Sequence, residues 1–142
     1  ISYVASGGEK KQPVMIHQAI FGSLERFFGI IIEHLKGHMP FWLAPVQIKV
    51  LPITSEHNDY AASILEKLES QGLRAQLDKS QEPLSAKIKV AQLAKTPWML
   101  VVGDKEVEQK TVTLRYVTGK QEFGLSIEDI LKKAQELVGE SK

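Results

Sequence analysis

Trp98-Met-Leu-Val-Val102 is an unbroken apolar run of strand length. Apolar side chains on both sides of a strand need cover on both sides, so this run belongs at the centre of a sheet with helices over each face. The neighbouring segments supply the rest of such a sheet. Upstream, Leu84 to Lys95 has helical spacing, with Leu84, Ile88, Ala91 and Leu93 expected to face inward. Leu73 to Leu77 alternates as a strand, and Glu56 to Gln71 reads as a helix with Tyr60, Ile64, Leu65 and Leu68 on one face and Gly72 after its end. Val46 to Leu51 is a further strand. Downstream, Thr111 to Val117 and Gln121 to Leu125 flank the turn Thr118-Gly119-Lys120 and read as a hairpin. Ser126 then caps a closing helix, with Asp129 three residues on, that points Ile127, Ile130, Leu131, Ala134 and Val138 at the core. The order β-α-β-α-β, a hairpin and a last helix predicts an α/β fold: a mixed five-stranded sheet flanked by helices.

The first forty residues are of another kind. Ile1 to Ala5 and Lys10 to Phe21 read as a hairpin about Ser6-Gly7-Gly8, and Ser23 to Lys36 as a helix with Ser23 at its cap. That helix carries Phe27, Phe28, Ile30, Ile31 and Ile32, apolar residues on nearly every side, which calls for cover on several faces. Its neighbours cannot supply so much, so a larger partner sheet is expected beyond this stretch. Met39-Pro-Phe-Trp-Leu-Ala-Pro45 is a connection rich in proline and aromatics. It places a domain boundary near residue 40, giving segments 1–40 and 41–142.

With 142 residues, 43% of them apolar, the chain is large enough for one ordinary domain with a real core. Its 18 basic and 17 acidic residues exclude a polycation, so any nucleic-acid site must be a local patch. There is no cysteine, hence no disulfide framework and no thiolate metal site. The greasiest run, Phe27 to Ile32, is far shorter than a bilayer span, and no signal peptide follows Ile1. An internal piece of a cytoplasmic protein, with no membrane partner, fits these features.

Several separated segments agree with one family. Pro13-Val-Met-Ile-His17 leading into Gly22-Ser-Leu-Glu-Arg-Phe27 resembles the third signature motif of the class II aminoacyl-tRNA synthetases, in the form found in the threonyl enzymes. The likeness continues through Trp42-Leu-Ala-Pro-Val-Gln47, Leu51-Pro-Ile-Thr54, His57-Asn-Asp-Tyr60 and Val101-Val-Gly-Asp-Lys-Glu-Val107. It implies that 41–142 is the anticodon-binding domain of that class, and that 1–40 is a β-hairpin plus helix from the end of the catalytic domain.

The resemblance also assigns roles that the residues alone do not. By itself Arg26 is a surface or capping arginine beside Glu25; the family implies that it grips the phosphates of ATP, a task that suits a planar, permanently charged fork. Ser23 is implied to line the same ATP pocket. By itself His17 is a hydrogen-bonded strand histidine; the family makes it one of three zinc ligands, whose metal lets the enzyme select threonine over valine. The other two ligands are not in this chain, so no tight zinc or Mg-ATP binding is expected of it. Lys79, Lys87, Lys89 and Lys95 read by themselves as a solvated helix face. The positions matching the family's anticodon contacts are Gln81, Glu82, Lys89, Lys95, Glu106 and Arg115. Glu106 and Arg115 keep the family's residue type, and a carboxylate and an arginine fork suit the reading of base edges.

There are departures. Gln18 stands where arginine is usual, and the run Ser80-Gln-Glu-Pro-Leu-Ser-Ala86 lacks two cations and an aromatic ring that the family carries. The expected function is therefore part of a threonine–tRNA ligase that couples threonine to tRNA(Thr) through a threonyl adenylate. This chain would contribute mainly anticodon recognition and would catalyse neither step alone. The longer protein is expected to be a homodimer. A non-catalytic, synthetase-like RNA- or DNA-binding module is the alternative, and a prolyl enzyme of the same subgroup a third.

Overall fold

The computed structural model describes residues 1–20 and 22–139. Its main body is a five-stranded sheet of β3 (Ile48–Pro52), β4 (Ala75–Leu77), β5 (Trp98–Val102), β6 (Val112–Tyr116) and β7 (Gln121–Leu125). The spatial order is β4-β3-β5-β6-β7, so the apolar run is the central strand. Strands β4, β3 and β5 are parallel, and β5, β6 and β7 antiparallel. The helices are α2 (Asn58–Ser70), entered through a 3₁₀ turn at Ser55–His57, then α3 (Leu84–Leu93), α4 (Asp104–Gln109) and α5 (Ile127–Gly139).

The chain crosses from β3 to β4 in one direction along the sheet and from β4 to β5 in the other. Right-handed crossovers in opposite directions must lie on opposite faces. Accordingly α2 and α5 share one face. There Ile48, Val50, Trp98, Leu100, Val102, Val112 and Leu114 pack with Ile64, Leu68, Ile130 and Ala134. The other face holds a smaller cluster, in which Leu51 and Met99 meet Ala91, Leu84 and Ile88 of α3. Two expected core positions are corrected: Leu93 is exposed because it lies on the side of α3 opposite Leu84, Ile88 and Ala91, and Val138 is exposed while Leu137 packs on the core. Helix α4 was not expected; at six residues it is too short for a periodic signal.

Before the sheet, β1 (Tyr3–Val4) pairs with β2 (Lys10–Lys11), and α1 spans Leu24–His34. The strand expected over Lys10 to Phe21 is thus reduced to two paired residues; residues 12–19 find no second strand among the described residues to bond to. Phe21 lies outside the described residues. Val14 and Ile16 are exposed, and α1 has no buried residue. None of the described helices is long and apolar enough to cross a membrane.

Burial begins at Phe41, whose ring lies 4.5 Å from that of Trp98. The segment leading into β3 is held by two side chains. Buried Gln47 donates from Nε2 to the Phe41 carbonyl at 3.0 Å and accepts the Arg74 N–H at 2.8 Å. Arg74 in turn donates to the Ala44 and Trp42 carbonyls at 3.0 and 2.6 Å. Replacing Gln47 by Ala strands a buried carbonyl and an N–H, so Gln47→Ala should cost about 2–4 kcal/mol in urea unfolding. At the opposite edge, Lys133 of α5 and the Tyr116 hydroxyl both donate to Glu122, holding its carboxyl down to about 2 from its ordinary 4.5. Because the folded value is the lower one, this contribution is present above about pH 4.5 and is lost as pH falls towards 2. Glu122→Gln should therefore lower the melting temperature at pH 7, with the gap to the parent protein closing as pH is brought down through that window.

Candidate nucleic-acid interface

A helix with its side chains is about 10–12 Å across, and strands lie about 4.8 Å apart, so one helix covers roughly two strands. On the α3 face that helix covers β3 and β5. The remainder of the face, on β6 and β7, has no helix over it. Here Thr113, itself buried and bonded to Glu106, and half-buried Arg115 alternate with Val112 and Leu114 of the opposite face. Arg115 sits opposite Met99, and its Nε is buried with no hydrogen-bond partner. Beside it on β7, Gln121 pairs with Arg115 in register.

Strand β7 carries one extra residue in this ladder. Leu114 faces Glu122 while Val112 faces Leu125, which leaves Phe123 and Gly124 opposite Thr113. Gly124 has φ +67°, a conformation few other residues adopt without strain. Glu122 points to α5, so Phe123 points to the uncovered face, where it is 73% exposed. Phe123 was not picked out from the sequence. The signal was Gly124 inside a strand pattern, which marks a bulge.

The upper rim of this face is built at the carboxyl ends of the parallel strands. Gly103 follows β5 so closely that a Cβ there would lie 2.6 Å from Ile53 Cδ1 and 3.2 Å from Glu106 Oε2. Glu106 accepts the Gly103 N–H at 3.1 Å and the Thr113 hydroxyl at 2.8 Å, one on each carboxylate oxygen. Its carboxylate is thereby fixed over the start of β6. Buried His57 ties the loops after β3 and β5 together. Its Nδ1 accepts the Thr54 N–H at 3.3 Å, so Nε2 carries the proton and donates to Asp104 Oδ1 at 2.9 Å.

The six expected anticodon residues do not form one pocket. Gln81 and Glu82 lie in the exposed loop between β4 and α3, at the carboxyl-end rim, as does Glu106. Lys89 is exposed midway along α3. Lys95 follows the far end of α3 and donates to His38 Nε2 at 3.1 Å. Arg115 lies towards that same far end of the sheet. A helix of this length spans about 15 Å, so the set forms a line across the α3 side rather than a cavity. The altered loop keeps its own order: Lys49 lies 3.2 Å from Asp78, and Ser80 donates to the same carboxylate. Burial alone would raise the Asp78 carboxyl, but the bonds from Ser80 and Lys49 more than offset that and leave it lowered.

The N-terminal candidates are separate from this line. Ser23 occupies the cap position of α1, yet its hydroxyl donates to Glu25 at 2.6 Å rather than to the helix backbone. That bond lowers the Glu25 carboxyl. Arg26 is exposed in the first turn, and His17 is exposed on the unpaired stretch. Among the described residues no three His, Asp or Glu side chains are placed to hold a metal. His17 alone cannot supply the ligand set that zinc requires.

Residues 47–137 match the family described as "Anticodon binding domain". The chain is 47% identical over 137 residues to a threonine–tRNA ligase of Desulforamulus reducens, covering 96% of this chain and 21% of that protein. The chain therefore spans about a fifth of the length of the curated relatives it matches. Among solved structures, the RNA-binding domain of a threonyl-tRNA synthetase from Cryptosporidium parvum Iowa II is 36% identical, with a TM-score of 0.78 over 96% of this chain and 35% of that one. A prolyl-tRNA synthetase of Cryptosporidium parvum, at 20% identity and TM-score 0.68 over 81% of this chain and 26% of that one, shares the fold.

Because Glu106 holds both Gly103 and Thr113, its removal acts on stability as well as on any ligand. Glu106→Ala should cost about 1–3 kcal/mol in chemical denaturation, and Glu106→Gln, which keeps one acceptor, clearly less.

Proposed function

The chain belongs to the anticodon-binding domain family, and from that premise we propose that it is the C-terminal part of a threonine–tRNA ligase whose uncovered sheet face reads the anticodon of tRNA(Thr). The observation that carries this reading is Arg115: a guanidinium nitrogen buried without an acceptor, on a sheet face that no helix covers. A buried donor with no partner is costly, and the edge of an unpaired base supplies the missing acceptor.

The line from Gln81 to Arg115 suits a single strand whose bases are splayed out. Glu106, held by two donors, still has lone pairs for the exocyclic or ring N–H of a base. Arg115 donates from its fork, Phe123 offers a flat apolar surface for stacking, and Lys89 and Lys95 supply positive charge along the path. The relatives' names favour this over a non-catalytic module.

In the longer protein, threonine is activated by ATP and then passed to tRNA. Arg26 is the group of this chain that would hold ATP phosphates there, with Ser23 beside it. His17 would give one zinc ligand to a site completed by residues outside this chain. The apolar surface of α1, including Phe28, Ile30 and Ile32, would pack against the remainder of the catalytic domain.

The test is a titration with a threonine tRNA transcript, and with the same transcript altered at the second and third anticodon letters, at one stated salt concentration. The unaltered transcript should bind more tightly. Arg115→Met and Glu106→Gln should each remove about 1–3 kcal/mol of that preference. Equal affinity of the parent chain for all the transcripts would overturn the reading.

A further inference from the structure

Lys87 is the one lysine or arginine that is buried among the described residues, at 3% exposure. It sits in α3 and reaches to the end of β3, where Nζ donates to the Pro52 carbonyl at 2.9 Å. An ammonium carries three N–H donors and a full charge, and this neutral carbonyl is its one hydrogen-bond partner. No carboxylate lies within 4.0 Å of it among the described residues. Asp78, which lines an adjoining hollow with Lys87, is already engaged by Lys49 and Ser80. A buried charge in this state is costly unless something compensates it.

Lys87 also lines a cleft of about 380 Å³ outside the carboxyl ends of β3 and β4. Thr54, Ser55, Asn58, Lys79 and Gln81 form most of its wall, and no acidic residue does. Loops at the carboxyl ends of parallel strands are where open α/β sheets commonly hold ligands. Two lysines, two serines, a threonine and two side-chain amides line one space. Such a set gives an anion many donors but distinguishes poorly between bases.

We infer that this cleft is a phosphate site, in which Lys87 with Lys79 and the hydroxyl of Ser55 grips one backbone phosphate of the bound RNA. Phosphate contacts set position, and base contacts specify. The phosphate held beside Gln81 would fix the register of the unpaired strand before it runs along the uncovered face to Glu106 and Arg115. The inference rests on the RNA-binding reading above and adds a point of attachment to it.

The test measures affinity for the same transcripts from 50 to 200 mM salt, a range in which phosphate contacts dominate the change. Lys87→Met, which keeps the length of the side chain and removes the charge, should weaken every transcript by a similar factor, about five- to tenfold. The slope of log affinity against log salt should shrink by about 0.7–1. Ser55→Asp adds a negative charge at an exposed position of the cleft wall without touching the core, and should produce a similar uniform loss even if Lys87→Met fails to fold. A loss confined to the unaltered anticodon would mean that Lys87 reads a base, and would overturn the proposal. So would an unchanged slope in both variants while the parent chain still discriminates anticodons; in that case the RNA reading stands and only this site falls. Inorganic phosphate is titrated against chloride at matched ionic strength by amide NMR. Phosphate-specific shifts at Ser55 and Gln81, lost in Lys87→Met together with the change in salt slope, support the RNA phosphate. Such shifts with no change in slope would assign the cleft to a free phosphate instead. A parent chain that binds no RNA removes both readings.

Discussion

The central strand Trp98–Val102 must be covered on both faces, and the chain meets that demand unevenly. Two helices lie on one face and one on the other. A single helix covers about two strands, so α3 shields Leu51 and Met99 and stops short of β6 and β7. The uncovered part of the sheet follows from helix count and crossover direction. It is there that Arg115, Gln121 and Phe123 point away from the α2 and α5 core. A surface for a ligand thus arises from the same topology that buries the opposite face.

The polar groups inside this body are mostly joints between loops and strands. Gln47 and Arg74 clamp the entry segment, His57 joins the ends of β3 and β5, and Glu106 fastens the start of α4 to β6. Each bridges backbone or side-chain groups that a sheet ladder leaves over at its ends. Lys87 departs from this pattern, because its charge is only partly answered by the carbonyl it meets. Arg115 departs in the same way, with a buried donor left over. Both sit on the α3 side, one at the carboxyl-end rim and one on the open strands. Among the described residues Arg115 Nε is the one buried side-chain nitrogen or oxygen left without a partner, and it shares the α3 side with the buried Lys87, where an anionic, acceptor-rich polymer would be favoured.

The N-terminal part behaves differently because it has little to pack on. Its helix is apolar on nearly every side, as the sequence implied, yet no residue of it is buried. The preceding apolar stretch stays unpaired after Lys11. A β-rich composition is a local preference, whereas a strand needs a second strand to bond with, and residues 12–19 have none among the described residues. Ser23 shows the same limit at smaller scale. It takes the cap position that its residue type favours, while its hydroxyl goes to the nearer carboxylate of Glu25.

Apart from α4, the elements of 41–139 were legible in sequence because each carries its own local signal. The apolar run of β5, the alternation of Leu73 to Leu77, the helical spacing about Ile64 and Leu68, the turn at Gly119 and the Ser126–Asp129 cap are all local signals, and their order restricted the fold to a mixed five-stranded sheet. The family likeness of Glu106 and Arg115 was legible in the same way, as residue types at a spacing. Other features became visible only in three dimensions. Helix α4 is too short to show a period, Leu93 lies on the side of α3 opposite Leu84, Ile88 and Ala91, and Val138 has the right spacing but stays partly exposed at the end of α5. Lys87 reads in sequence as one more surface lysine on a helix, and Phe123 as one more strand residue. The burial of the first depends on how α3 leans on the end of β3, and the exposure of the second on which strands α3 fails to cover. Local pattern decides what a segment becomes, but solvent access and charge balance are set by the other segments that arrive beside it.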